Sequence, residues 1–114
     1  MQAIPKEIIK AQALTTSLQS LFVSEAKKRT IISKVTFANR ASSLATVTVH
    51  IVPANETAGN NNIVIPEQML NANESWSAYQ LEGLILEPGA KLNIKTDAAG
   101  NGLVNVAASG LEVY

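Results

Sequence analysis

Histidine is the side chain best suited to exchanging protons near neutrality, and this chain has one, His50, in the alternating run "ATVTVHIV" of residues 45 to 52. As a general base it would need a hydroxyl nucleophile and an orienting acid within reach. Ser42 and Ser43 precede it and the sole aspartate, Asp97, sits in a turn with Gly100 and Asn101, a spacing that assembles no triad. On an alternating strand His50 shares a face with Thr46, Thr48 and Val52, while Ala45, Val47, Val49 and Ile51 point the other way. The expectation is therefore an outward cross-strand histidine, available to a neighbouring subunit.

Other chemistries fare no better. With no cysteine and one histidine the chain lacks the donors of a transition-metal site. Asn60, Asn61, Asn62 and Glu56 offer oxygens, but amides without charge hold calcium weakly. Glu82 and Glu87 are the nearest acidic pair with apolar neighbours and read as loop charges around Leu84–Leu86, not as a glycosidase pair. Gly100-Asn101-Gly102 leads into a strand, where a phosphate cradle would lead into a helix. Trp76 and Tyr79 fall on opposite faces of an alternating run, so they make no stacking platform. No catalytic, cofactor-binding or metal residue is assigned, no cofactor is expected, and the chain reads as a non-enzyme.

Nine basic and nine acidic side chains cancel, so neither nucleic acid nor an anionic membrane is an expected partner. The one basic cluster, Lys27-Lys28-Arg29, reads as a solvated turn. No apolar stretch reaches the roughly 18 to 20 residues that span a bilayer. Lys6, Glu7 and Lys10 occupy the place of a secretory signal's apolar core, which points to synthesis in a cytoplasm. The tripeptides Asn55-Glu56-Thr57 and Asn73-Glu74-Ser75 match the glycosylation acceptor pattern and read as exposed turns.

The elements that must position any site are strands. From residue 30 onward the period is two and β-branched residues are dense. Residues 30–39 alternate, with Ile31, Ser33, Val35 and Phe37 as the better core face; the polar turn 39–43 leads back into 45–52, stopped by Pro53. Short strands follow at 63–65, ended by Pro66, at 74–81, at 84–86, at 91–96 and at 103–114, where Gly110 suggests a bulge. Glu87-Pro88-Gly89-Ala90 has the makings of a type II turn with glycine at the positive-φ position. Turn signals every 10 to 12 residues or so predict an all-β antiparallel sandwich or jelly roll of about eight strands. The strand at 18–23 opens a domain spanning 17–114. Before it, Ile4, Ile8, Ile9 and Leu14 would fit one stripe of a short helix, while Ala11, Ala13 and Thr15-Thr16 also tolerate a strand; of the two, the favoured reading of residues 1–16 is an extended N-terminal arm.

The run "SLQSLFVSEAKKRTIISKVTFANRASSLATVTVHIVPANETAGNNN", followed by "LEPGAKLNIKTDAAG", resembles small β-sandwich structural proteins of tailed-phage virions. The shared pattern is an entry strand, a basic turn, a strand ending in Asn, a Ser-rich turn, a β-branched strand ending at "VP" and a Pro-Gly-Ala turn, over residues 17 to 114. It departs at Ser24-Glu25-Ala26, where related patterns often carry proline and glycine.

The resemblance implies a virion component, made in the host cytoplasm and carried in the particle: a capsid decoration (cement) protein of a bacteriophage, acting as a homo-oligomer on the major capsid protein or another virion protein. Alternatives are a tail or connector structural protein, or a carbohydrate-binding β-sandwich module. Candidate partner-binding residues are Ile4, Ile8 and Ile9, read as exposed on the arm, and Asn60 and Asn61 in the amide-rich loop.

Overall fold

The computed structural model describes residues 2–114; Met1, the first residue of the expected arm, lies outside them. Nine strands are present among the described residues: β1 (Ala3–Ala13), β2 (Gln19–Val23), β3 (Arg29–Asn39), β4 (Ala45–Val52), β5 (Ile63–Leu70), β6 (Ser75–Ser77), β7 (Ile85–Leu86), β8 (Lys91–Thr96) and β9 (Val104–Val113). The remaining regular structure is three single 3-10 turns.

The strands form two sheets, all pairs antiparallel. The first has the order β1-β9-β3-β6 with β7 also beside β3, and the second has the order β2-β8-β4-β5. Both β6 and β7 pair with β3, along Thr36–Ala38 and Thr30–Ile31 respectively, so they are two pieces of one interrupted strand. Eight strand positions result, four per sheet. The chain changes sheet at every connection except β4 to β5 and the interruption from β6 to β7. That wrapping is a jelly roll, as the strand and turn spacing predicts. Its core is aliphatic around one ring, Phe37, with Ile9, Ile32, Leu92 and Ile94 among the fully buried side chains.

The N-terminal segment is extended, as expected, but it is not an arm. β1 pairs with β9 from Ala3–Val113 to Ala13–Asn105, and Ile8 and Ile9, expected to be exposed, are 5% and 1% accessible. The reason is a bulge: Glu7 faces Ser109 and Ile9 faces Ala108, so Ile8 is an extra residue and two consecutive isoleucines turn inward. The charges at Lys6 and Glu7 disguised an edge strand.

A second bulge accounts for a second difference. In β3 the pairing passes from Ile32–Gly110 to Lys34–Ser109, leaving Ser33 unpaired. The alternation therefore changes phase: Thr30 and Ile32 are buried before the bulge, Val35, Phe37 and Asn39 after it, and Ile31 lies on the outer face. Both strands flanking β9 thus bulge beside Ser109, and the expected irregularity at Gly110 falls in its neighbours.

Proline punctuation also differs. β5 runs through Pro66 because it is an edge strand with a bulge there, where Val47 faces Gln68 and Val49 faces Ile65. The expected strand at 74–81 is only β6, followed by a 3-10 turn at Tyr79–Leu81. The turn at 87–90 forms as predicted, with Gly89 at φ 83° and the Ala90 amide donating to the Glu87 carbonyl at 2.9 Å.

Candidate partner-binding site

His50 is not outward and free; it is 6% accessible. The loop after β4 folds back over it. Pro53 ends the strand, Asn55 takes a left-handed φ of 66°, and the chain closes in the 3-10 turn Asn60–Asn62. Asn62, itself buried, is the fastener. Its Oδ1 accepts the Gly59 amide at 3.0 Å and its Nδ2 donates to the Thr57 carbonyl at 2.9 Å. Its Oδ1 also lies 2.8 Å from His50 Nδ1. An oxygen already accepting from an amide can only accept again, so His50 carries its proton on Nδ1 and donates it. Replacing Asn62 with alanine is expected to cost about 1 to 3 kcal/mol, because His50 and the Thr57 carbonyl lose their partner. Chemical denaturation measures the loss, and amide exchange of residues 57–62 should rise well above that of β4.

Nothing joins His50 to the other triad candidates. Asp97 caps the turn after β8, with its carboxylate accepting the Gly100 amide at 3.1 Å. Ser42 and Ser43 lie in the β3–β4 turn, at the other end of β4. Glu87 pairs with Arg29 at 2.8 Å on the surface. His50 is therefore a clip that shapes the loop, and what the loop presents is Asn60 and Asn61, both exposed. Beside them an open hollow of about 400 Å³ is lined by Thr48, His50, Asn60, Glu67 and Lys95.

Ile4 is 43% accessible and lies at the end of the sandwich where the start of β1 meets the end of β9. That end is held by charge. Lys6 Nζ reaches Glu112 at 3.1 Å and Glu25 at 3.6 Å, and Lys28 Nζ reaches Glu25 at 3.0 Å and Glu112 at 3.5 Å. The expected solvated turn at 27–29 thus has one member, Lys28, tied into a four-group cluster and lying 4.6 Å from the Tyr114 ring centre. The hydrogen bond to Glu112 holds the Lys6 ammonium above its ordinary value, opposed by burial. The stability that pair supplies is complete below the ordinary lysine range and fades only as pH rises through the raised value.

Of the predicted partner residues the fold exposes Ile4, at the start of β1, and Asn60 and Asn61, in the loop between β4 and β5, and it takes Ile8 and Ile9 into the core. It also exposes a set that the strand pattern hid. Pro5, Leu111, Ile31 and Ile85 stand in register across β1, β9, β3 and β7 on the outer face of the first sheet, with Ile85 52% accessible. Ile31 was expected in the core; only the bulge at Ser33 turns it out. Trp76 is half-buried and stacks on Phe37 with centroids 5.9 Å apart, whereas Tyr79 is exposed, so the two aromatics form no common platform.

The class this geometry defines is a single jelly roll. A chain from the structure of infectious bursal disease virus Gx strain is similar over 98% of this chain and 32% of that one, with 16% identity and a TM-score of 0.53. A chain of the T13 IBDV viral particle is similar over 98% of this chain and 30% of that one, with 14% identity and a TM-score of 0.50. This chain spans about a third of the length of those chains, and at this identity the likeness is one of fold. No family model and no curated protein matches the sequence.

Proposed function

We propose that this chain is a non-enzymatic structural protein of a virion, a decoration protein that seats on the outer surface of an assembled shell and holds neighbouring shell subunits together. Jelly rolls serve many unrelated ends. The observation that carries this reading is that the whole jelly roll, 98% of the chain, overlays part of a chain from a viral particle. Its partner is the major capsid protein, and the protein acts as a homo-oligomer. Repetition over a symmetric shell turns modest single contacts into strong retention. The contact residues are Ile4 at the start of β1 and Asn60 and Asn61 in the loop after β4, which is pinned by Asn62 and pays little ordering entropy on binding.

The test is gradient purification of particles from cells expressing the encoding genome, followed by electron cryo-microscopy. The expected result is density for the jelly roll at symmetry-related positions outside the shell. A double Asn60→Glu, Asn61→Glu variant should keep the thermal melt of the parent and lose at least about tenfold in occupancy. Particles free of the protein would overturn the virion reading; density on a tail or connector would keep it and reassign the partner.

A further inference from the structure

We propose that the outer face of the first sheet is the contact between two copies of this chain, related by a two-fold axis along β9. This names a surface for the oligomer proposed above. It is testable on isolated protein, so its failure leaves the shell reading standing and the reverse also holds.

The argument rests on the rows of the sheet. In one row Pro5 of β1, Leu111 of β9 and Ile31 of β3 lie side by side, and Ile85 of β7 extends it. In the next outward row Glu7 of β1, Ser109 of β9 and Lys34 of β3 lie side by side. About β9 the first row is apolar on both sides, and the second is negative on one side and positive on the other. A half-turn about an axis along β9 lays β1 of one copy over β3 of the other. It sets Leu111 against Leu111, Pro5 against Ile31, and each Glu7 against the other copy's Lys34. A face whose apolar row is symmetric and whose charge row is antisymmetric about the same strand complements itself.

Twist does not spoil the match. Sheets packed face to face cross at about 30°, and β1 and β3 are each about 4.8 Å from β9, so opposed groups drift by about 3 Å, within the reach of Glu and Lys side chains.

The two bulges supply room. Beside Ser109 they leave an open depression of about 610 Å³ bordered by Glu7, Lys34, Thr36 and Ala107, which can receive the four long side chains of the two charge pairs. The size is sufficient too. The molecule measures 45 × 27 × 19 Å, so its broad face can supply the roughly 800 Å² per partner of a standard interface. A formal net charge of zero puts no overall repulsion between copies.

The test is a charge reversal followed by sedimentation equilibrium. The parent is expected to be a dimer. Glu7→Lys alone and Lys34→Glu alone each set like charges together twice, and each should raise the dimer dissociation constant at least about tenfold. The double variant Glu7→Lys, Lys34→Glu should return to within about threefold of the parent, since the pairs re-form with reversed sign. Circular dichroism melts establish that each variant is folded; both positions are exposed. A parent that stays monomeric at about 100 µM, far above the dissociation constant expected of a standard interface, would overturn the proposal. So would a double variant no better than the single ones.

Discussion

Replacing Gly110 with alanine is expected to destabilise the protein by about 3 kcal/mol, seen as a lower denaturant midpoint at unchanged slope. A Cβ at that position would run into the Ile31 carbonyl oxygen and Ile8 Cδ1. A side chain could rotate away at modest cost. The Ile31 carbonyl cannot, because it belongs to the backbone of β3, which pairs with β9 at this level. Ile8 reaches the site because the bulge in β1 turns it inward. Gly102→Ala is the control. Nothing lies within 4 Å of a Cβ there, and the cost is only that of its φ of 73°, about 1 to 2 kcal/mol. Equal losses for the two variants would mean that the crowding at Gly110 is relieved cheaply.

Phe37→Ala should cost about 3 to 5 kcal/mol, a large share of the roughly 5 to 15 kcal/mol that holds such a domain. Phe37 is the largest of the fully buried side chains and the sole ring among them. It also lies against Trp76, so its loss removes the surface on which β6 docks. Trp76 is the single tryptophan, which makes its fluorescence a direct reporter. The folded variant should emit further to the red than the parent. An unshifted spectrum with a small loss of stability would show that the core collapses to fill the space.

The class of fold was legible because it depends on local chemistry that survives averaging. Alternation at 45–52 and 91–96, and Pro88-Gly89 at the turn, specify strands and reversals whatever their partners are. What was not legible depended on register, which one unpaired residue can invert. Ser33 carries no mark distinguishing it from any other exposed strand residue, yet it decides that Ile32 is core and Ile31 surface. Ile8-Ile9 read as surplus for the same reason, since a strict alternation has room for only one of them. His50 fits its alternating face; it is covered by a loop folded back from the following residues, which periodicity within a strand cannot report. Asn62 was visible as an amide among amides, and only the fold shows that it is the one turned inward to fasten its neighbours.

The seam between β1 and β9 also decides how this protein meets a pulling force. Gln2 and Tyr114 exchange backbone hydrogen bonds at 2.6 and 3.0 Å, so the described chain begins and finishes side by side. Antiparallel ladder bonds run perpendicular to the strands. Tension applied between these two points would load them one at a time, peeling β1 from β9 as a zipper opens. The same tension applied along a strand would have to shear the whole ladder at once. A load on the jelly roll is best borne across its faces, with Gln2 and Tyr114 drawn in the same direction.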